Sequence, residues 1–344
     1  MKSVFITGAT GLLGSHIALQ MLQEGWSVKC LIRDKKRKVE TERIFKYYGN
    51  SAVELFEKIQ WLEGDILELP TLLDHIQEGD YVVHSAAWVS FLPHEYKKMF
   101  QINVEGTANV VNACLEKKVA KLCHISSVAA IGRSLEESYY NEDTTWKDNE
   151  TNTQYAISKY KAELEVWRGS AEGLNMVIVN PATIIGPGNW EQSSAALLTK
   201  VWKGNKYYTS GVNGFVDVRD VAAVSVRLLE SSISDQRFIA VSENYSFREL
   251  FNQMADCLGK PRPTIEAKPW VAQVVWRLGW LGYMLLGKVP FITKESARTA
   301  MFKSNFSNEK IKKALQYSFI PLPEAIQHAC SCFLQDHQAG KNYK

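Results

Sequence analysis

A tyrosine and a lysine four residues apart, Tyr155 and Lys159, have the clearest chemical potential in this sequence. That spacing places both side chains on one face of a helix. A phenol beside an ammonium group suits hydride transfer to a carbonyl, because the developing alkoxide needs a proton. A free tyrosine titrates near pH 10, so catalysis near neutrality requires its pKa to fall by about three pH units. We expect Tyr155 to be the general acid or base and Lys159 to lower its pKa.

Two serines, Ser126 and Ser127, end the fifth strand pattern of the chain. Ligands of parallel sheets bind at the carboxyl ends of the strands, so Ser127 could donate a hydrogen bond to the carbonyl oxygen. We expect Asn103 to bind backbone or water near Lys159. A Tyr-x-x-x-Lys match alone is also typical of surface helices. The serine pair and an upstream glycine loop favour the catalytic interpretation.

The glycine loop has its glycines at three-residue intervals after the first strand pattern. Such glycines allow a tight turn, close approach of backbone to a pyrophosphate, and packing of helix against strand. The N-terminus of the following helix offers free N–H groups and a favourable dipole to the phosphates. The expected contacts of a dinucleotide are Thr7, Gly8, Thr10, Gly11, Leu12, Leu13 and Gly14. The alternative is a purely structural turn.

The residues after the second strand pattern discriminate between NADP and NAD. An acid there binds the ribose hydroxyls of NAD, whereas an arginine can hold the 2′-phosphate of NADP. This chain has Arg33 followed by Asp34 and a basic run that includes Lys36 and Arg37. We predict that Arg33, supported by Lys36 or Arg37, selects NADP(H). NAD(H) is the alternative, with Asp34 on the ribose and the basic run solvated.

Two further strand ends complete the predicted nucleotide site. Asp65, followed by Ile66, is placed to accept a hydrogen bond from the adenine amino group. Ser85, Ala86 and Ala87 end the fourth strand pattern and are small enough to let backbone approach the cofactor. We also expect Ser126 to contact the cofactor, and Lys159 to bind the nicotinamide ribose.

Strand and helix patterns alternate through the first half of the chain, which is typical of a parallel sheet covered by crossover helices. Strands are predicted over 4–7, 28–33, 59–63, 81–85, 121–126 and 176–180, and the most regular helices over 14–24, 100–117 and 155–172. We predict an α/β fold, a Rossmann doubly wound parallel sheet with a smaller, mostly helical C-terminal substrate lobe. The NAD(P)-binding domain is assigned to 1–181, with 215–241 returning to it, and the lobe to 182–214 and 242–344.

Composition excludes several classes of protein. The 344 residues are 46% hydrophobic, enough to bury a full-sized core. A formal charge of +3 gives too weak a field for nucleic-acid binding. The six cysteines have no spacing typical of a metal site, so we expect reduced thiols and no metal. The chain shows no apparent signal region, so we expect a cytoplasmic protein. Polar residues interrupt the apolar segment 270–289, which predicts a helical lid; the alternative is weak association with a membrane surface, without a transmembrane span.

Together these motifs resemble the extended short-chain dehydrogenase/reductases, particularly the dihydroflavonol 4-reductase-like and 3β-hydroxysteroid dehydrogenase-like branch. The residues that carry the resemblance are 7–14, Asp65, 85–87, Asn103, 126–127, Tyr155 with Lys159, 180–187 and 217–222. The resemblance implies that Pro181, Thr183 and Ile184 lie beside the nicotinamide. It also implies a homodimer whose four-helix bundle contains the helices that begin near Phe100 and Tyr155.

We therefore predict an NADPH-dependent reductase acting on a ketone or aldehyde of a fairly apolar small molecule. Candidate substrate-wall residues are Trp88, Phe91, Trp190 and Phe215. The alternative for these aromatics is ordinary core. An NAD-dependent nucleotide-sugar epimerase could use the same Ser127, Tyr155 and Lys159, although the tyrosine that such epimerases commonly have before the glycine at position 132 is replaced by isoleucine. A third alternative is a regulator that binds the dinucleotide without chemistry.

Overall fold

The computed structural model describes residues 2–132, 137–268, 270–271, 276–277, 280, 293–338 and 340. Most of the segment 270–289, for which a lid or a membrane contact is predicted, lies outside the described residues. Within the described part of the chain, no helix combines the length and the hydrophobicity needed to cross a bilayer.

The described strands build a 7-stranded sheet whose neighbours all pair in parallel. Its strands are β1 (Ser3–Thr7), β2 (Ser27–Ile32), β3 (Gln60–Glu63), β4 (Tyr81–His84), β5 (Lys121–Ile125), β7 (Met176–Pro181) and β11 (Gln236–Ala240). Strand β6 (Tyr139–Tyr140) belongs to a smaller sheet. Their spatial order is β11-β7-β5-β4-β1-β2-β3. Central strands such as β5 and β7 are buried on both faces, which explains the nearly continuous apolar sequence of β7. The Rossmann prediction is confirmed.

Helices cover both faces of this sheet. Those of the nucleotide-binding half are α1 (Leu12–Gln23), α2 (Lys38–Lys46), α3 (Asn50–Phe56), α4 (Leu69–His75), α5 (Tyr96–Phe100), α6 (Gly106–Glu116) and α7 (Gln154–Ala171). Alternate residues of β1 point into opposite cores: Ile6 packs with Ile17 of α1, and Phe5 packs with Val110 of α6 and Val166 of α7. Parallel strands and two helical layers place the carboxyl ends of β1, β2, β4 and β5 at one edge.

The helix predicted over 100–117 is interrupted. A π-helical stretch, Gln101–Glu105, separates α5 from α6. Such stretches carry an extra residue in a turn and often occur at functional sites. The stretch contains Asn103, whose side chain leaves this point of the helix to bind a neighbouring loop. The predicted helices 14–24 and 155–172 correspond to α1 and α7, with ends that differ by two residues or fewer.

The chain beyond Pro181 builds most of a second core. Its elements are β8 (Thr183–Ile185), α8 (Ala196–Trp202), β9 (Tyr207–Tyr208), β10 (Val212–Asp217), α9 (Val218–Glu230), β12 (Glu243–Ser246), α10 (Phe247–Cys257), β13 (Ile265–Glu266), α11 (Lys294–Thr299), β14 (Asn305–Phe306), α12 (Glu309–Leu315) and α13 (Leu322–Gln338). Strands β12, β10 and β8 form a 3-stranded sheet. Helix α9 packs on α1, and β11 joins the large sheet. We keep the assigned domain boundaries as a proposal.

Helix α13 connects the two halves of the molecule. The carboxylate of Asp336 accepts hydrogen bonds from the Tyr47 hydroxyl at 2.5 Å and from the Trp190 indole N–H at 2.9 Å. Tyr47 follows α2 in the nucleotide-binding half, whereas Trp190 lies in the loop after β8. A buried carboxylate with two donors is a strong directional contact. Asp336 therefore fixes the C-terminal helix to both halves.

Candidate active site

The loop of residues 7–14, called here the phosphate loop, is shaped by backbone contacts. Gly8 has a φ of +76°, and a Cβ there would lie 2.6 Å from the main-chain nitrogen of Ala86. A Cβ at Gly14 would collide with the carbonyl of Gly8. The amide of Gly11 donates to the Gly8 carbonyl at 3.0 Å, closing the turn. Side chains at Gly8 and Gly14 are thus excluded by the strand end and by the loop itself.

The phosphate loop leads directly into a free helix N-terminus. Helix α1 begins at Leu12, and its N-cap residue Gly11 provides no side-chain hydrogen bond. Thr10, Gly11 and Leu12 are partly exposed, whereas Leu13 is buried in the core. The first amide groups of such a helix have no intrahelical acceptor and are suited to phosphate oxygens. This geometry fits the pyrophosphate of a dinucleotide.

The strand end opposite the phosphate loop is fixed by a buried histidine. Thr7 Oγ1 lies 2.7 Å from His84 Nδ1, and His84 Nε2 lies 2.9 Å from Thr107 Oγ1. The amide of Ala86 donates to Thr7 Oγ1 at 3.3 Å. Ser85 and Ala86 are partly exposed at this edge, next to the exposed Ala87. Burial lowers the pKa of His84 to about 3, so it is neutral and serves as a hydrogen-bonding connector.

Arg33 and Asp65 meet where the adenosine half of a dinucleotide would lie. The Arg33 guanidinium is 3.5 Å from the Asp65 carboxylate, and the Arg33 side chain is 47% exposed. Asp34 caps the turn Lys35–Arg37 by accepting the amide of Lys36 at 2.9 Å. Arg33 is therefore accessible at this edge, whereas one carboxylate oxygen of Asp34 is already engaged.

Other residues of the predicted nucleotide site take different positions at this edge. Lys36 is exposed in the capped turn, and Ile66 is buried beneath Asp65. The carbonyl of Ile66 accepts a hydrogen bond from Asn109 of α6 at 3.0 Å. Thr183 and Ile184 are partly exposed in β8, just beyond the buried Pro181 that ends β7.

Helix α7 brings the proton-transfer candidates to the carboxyl ends of the strands. Thr153 caps this helix by accepting the amide of Ala156 at 3.0 Å, which places Tyr155 in the first turn. The Tyr155 ring packs edge-on against Phe91, with ring centroids 6.2 Å apart. Burial raises the pKa of Tyr155, and the Ser127 hydroxyl opposes this shift. Tyr155 is therefore protonated at neutral pH, as a general acid for reduction must be.

Lys159 is buried against the end of β5, and its expected effect on the pKa of Tyr155 stays a prediction. The Lys159 ammonium is 2% exposed and donates to the carbonyl of Ile125 at 2.9 Å. Burial lowers the pKa of Lys159 itself to about 8, and Glu163 raises it. The Ser127 side chain is the group whose hydrogen bond lowers the pKa of Tyr155 against the effect of burial.

The Ser127 hydroxyl lies beside the Tyr155 phenol and carries a proton that it can donate. Its Oγ caps the turn Val128–Ile131 by accepting the amide of Ala129 at 3.1 Å. A serine oxygen that accepts one hydrogen bond can still donate its own proton. The neighbouring Ser126 is buried. The side chain of Ser127 can therefore face Tyr155 and a carbonyl oxygen together.

Asn103 is buried and fixes the loop after β4. Its amide nitrogen donates to the Trp88 carbonyl and to Ser158 Oγ, both at 3.0 Å, and its oxygen accepts the Trp88 amide at 2.7 Å. Ser158 directly precedes Lys159 in α7. Asn103 thus holds a loop of the predicted substrate side against the catalytic helix.

The four candidate wall aromatics divide into two pairs. Trp88 and Phe91 are partly exposed in the loop after β4, with the ammonium of Lys98 3.8 Å from the Trp88 ring. Trp190 and Phe215 are fully buried in the second core. Trp190 is enclosed by Phe333 of α13, and Phe215 packs edge-on against Phe247. For Trp190 and Phe215 the alternative interpretation holds, because helices distant in sequence cover both rings.

Sequence reasoning missed a buried acid beside the catalytic lysine. Glu163 is 1% exposed, and its carboxylate accepts a hydrogen bond from the side chain of Asn180. Its position four residues after Lys159 continues the same helical face and could have suggested it. No group of three metal-binding side chains occurs among the residues that the structure describes.

Residues 4–240 match the model of the NAD dependent epimerase/dehydratase family. The chain belongs to this family. The match spans every strand of the large sheet and each residue of the candidate site described above. The protein is therefore an NAD(P)-dependent enzyme of the extended short-chain dehydrogenase/reductase type.

Two curated relatives and one solved structure are similar to this chain over most of its length. The chain is 26% identical to sterol demethylase protein B of Methylococcus capsulatus, over 79% of each chain. It is 25% identical to a putative dihydroflavonol 4-reductase of Synechocystis, over 97% of this chain and 94% of the relative. The crystal structure of gox2253 is 27% identical and covers 97% of this chain and 98% of that protein, with a TM-score of 0.79. The relative that covers nearly the whole chain is thus one named as a putative dihydroflavonol 4-reductase.

Proposed function

We propose that this protein is an NADPH-dependent reductase of a ketone or aldehyde carried by a fairly apolar small molecule. The observation that carries the proposal is the pairing of a protonated Tyr155 with the Ser127 hydroxyl at the carboxyl end of β5. Both groups are suited to one oxygen atom that becomes an alkoxide. The full-length similarity to a putative dihydroflavonol 4-reductase supports reduction as the direction.

The proposed chemistry assigns one task to each residue. The phosphate loop and α1 hold the pyrophosphate, and Lys159 binds the ribose next to the nicotinamide, which when bound supplies the hydride. Ser127 donates a hydrogen bond to the substrate carbonyl oxygen and polarises it. Tyr155 then gives its proton to the same oxygen. Trp88 and Phe91 exclude water from this edge and contact the apolar part of the substrate.

The preference for NADPH rests on Arg33. Its guanidinium is accessible, and its ion pair with Asp65 is long, at 3.5 Å. A 2′-phosphate would replace that contact by charge-assisted hydrogen bonds of about 1.5–3 kcal/mol. Lys36 is exposed in the adjacent turn and can add to the positive potential.

A titration of the purified protein with NADPH and NADH, followed by nucleotide fluorescence, tests the proposal first. Its absorbance is checked beforehand for nucleotide retained through purification. Tighter binding of NADPH, followed by its oxidation with members of an aldehyde and ketone panel, is the expected result. Tighter NADH binding, or no oxidation with any carbonyl, would contradict the proposed reductase.

The second candidate is a nucleotide-sugar epimerase that keeps NAD and uses the same Ser127, Tyr155 and Lys159. The family to which the chain belongs favours it, because epimerases and dehydratases give that family its description. Retained NAD, no net use of added NADPH and interconversion of two nucleotide sugars would identify this activity.

We further propose a cytoplasmic homodimer. The family resemblance implies an interface made by α6 and α7, and Leu164 of α7 is 47% exposed. Light scattering of the wild type and of Leu164→Glu tests the interface. A dimer that becomes a monomer in the variant is expected, and an unchanged dimer would place the interface elsewhere.

A further inference from the structure

Glu163 lies at the centre of a buried polar network behind the catalytic residues. Tyr155, Lys159 and Glu163 follow one another at four-residue intervals on α7, which places them along one face. Lys159 and Glu163 are 2% and 1% exposed. A buried carboxylate is costly unless it is paired and hydrogen-bonded, so its contacts determine what it does.

One carboxylate oxygen of Glu163 is connected through Asn180 to the backbone of Ser127. The side-chain nitrogen of Asn180 donates to Glu163 Oε1 and also to the main-chain carbonyl of Ser127, at 3.0 Å. Asn180 lies in β7 and is completely buried. One amide group with two donors thus fixes the distance between the carboxylate and Ser127. Displacement of Glu163 would therefore loosen the contact that holds Ser127 opposite Tyr155.

The charge of Glu163 acts on Lys159. Burial lowers the pKa of Lys159 to about 8, and Glu163 raises it. Burial raises the pKa of Glu163, while Ser126, Arg237, Asn180 and Lys159 all lower it. The Arg237 guanidinium lies 3.6 Å from Glu163 Oε2. Burial is the largest of these effects and raises the pKa of Glu163 overall, while two cations, Arg237 and Lys159, oppose that rise.

Lys159 is also faced by two histidines of neighbouring strands. Burial lowers the pKa of His84 in β4 to about 3 and the pKa of His124 in β5 well below its usual value; Lys159 contributes to both shifts. Both rings are neutral near pH 7 and add no charge. Glu163 is thus the group that opposes the desolvation of the lysine.

We propose that Glu163 is a positioning residue for the reaction: it keeps Lys159 protonated and, through Asn180, holds Ser127 opposite Tyr155. The part of this proposal that concerns catalysis rests on the proposed reductase function. The charge of Lys159 is an independent property, which can be measured without any substrate.

The variant Glu163→Gln removes the charge but keeps an oxygen that can accept from Asn180. The pKa of Lys159, followed by ¹⁵N NMR of its side-chain amine and assigned with Lys159→Met, should fall by about one pH unit. In the pH profile of kcat, the apparent pKa of the alkaline limb should fall by the same amount. At pH 8, kcat should then fall about fivefold or more, with a change below twofold at pH 6.

Two further variants control this experiment. Glu163→Asp retains the charge and should restore the pKa of Lys159 and the alkaline limb. Glu165→Gln removes a carboxylate of the same helix that is instead paired with Arg168 at 2.9 Å, and it should change neither. The variant Asn180→Ala tests the connection to Ser127: kcat should fall about tenfold at every pH, with KM changed less than threefold. Thermal melting confirms that each variant folds.

An unchanged pKa of Lys159 in Glu163→Gln would overturn the electrostatic part of the proposal. Normal kcat in Asn180→Ala would overturn the positioning part. If the wild type reduces no carbonyl, the reductase proposal fails, while the NMR result still decides whether Glu163 controls the charge of Lys159. A wild-type Lys159 that titrates near pH 10.5 would contradict the electrostatic part even if Glu163→Gln did not fold.

Discussion

The phosphate loop and the catalytic corner, by which we mean Ser127, Tyr155, Lys159 and Glu163, adjoin the same sheet edge but are built by different physics. The phosphate loop is shaped by glycine sterics and backbone hydrogen bonds. The catalytic corner combines a serine hydroxyl with three ionisable groups whose pKa values are shifted by burial and by their neighbours. Changes to the first should affect binding, whereas changes to the second should affect the reaction and its pH dependence.

The largest expected effect separates the two regions most sharply. Tyr155→Phe removes the proton donor and should lower kcat about a thousandfold, because general acid catalysis contributes roughly 10²–10⁴. The Kd for NADPH should stay within about twofold, since the phosphate loop is untouched. Single-turnover kinetics and a fluorescence titration measure the two quantities. Full activity in this variant would exclude Tyr155 as the acid.

The next effect concerns the phosphate loop alone. Gly8→Ala adds a Cβ 2.6 Å from the backbone of Ala86, at a φ of +76°. The resulting strain of about 1–3 kcal/mol should raise the Kd for NADPH by about five- to a hundredfold. Gly25→Ala is the matched control, because Gly25 has a φ of +80° and no atom within 4 Å of the added Cβ. Equal losses of affinity in both variants would contradict a steric role for the strand end.

His84 joins the phosphate loop to the core and should make the protein acid-sensitive. Its folded pKa of about 3 lies below the unfolded value of 6.5, so the unfolded chain binds the extra proton as the pH falls through this window. This residue alone should lower the free energy of unfolding by about 2 kcal/mol between pH 7 and pH 5. Denaturant unfolding of the wild type and of His84→Gln measures the slope. The same slope in both proteins would exclude His84. The partly exposed His75→Gln serves as a control.

The smallest effect tests the adenosine end of the predicted nucleotide site. Arg33→Ala should weaken NADPH about tenfold and NADH less than twofold, since the side chain is half exposed and its contacts are partly screened. As a control, Lys35→Ala removes a more exposed cation, which is paired with Glu63 at 2.7 Å. Equal losses for both nucleotides in Arg33→Ala would show that Arg33 does not recognise the 2′-phosphate.

The sequence was most informative where structure depends on near neighbours. The strands, α1, α7 and the phosphate loop follow from local periodicity and from glycine spacing, and the structure confirms their places in the fold. Trp190 and Phe215 were misassigned because contacts distant along the chain decide their burial; Trp190 bonds to Asp336, 146 residues away. The function of Glu163 likewise depends on Asn180 in another element. Periodicity cannot indicate which distant residue closes such a contact.

The contacts of Asp336 should couple the binding of ligands in the two halves of the molecule. Its carboxylate accepts hydrogen bonds from Tyr47 of the nucleotide-binding half and from Trp190 of the other half. A change in the angle between the two halves must therefore alter at least one of these hydrogen bonds. A ligand that prefers one arrangement then changes the affinity of the other half for its own ligand, and linkage makes the effect mutual. Nucleotide should tighten substrate binding by the same factor as substrate tightens nucleotide binding, and loss of the Asp336 carboxylate should bring that factor closer to one.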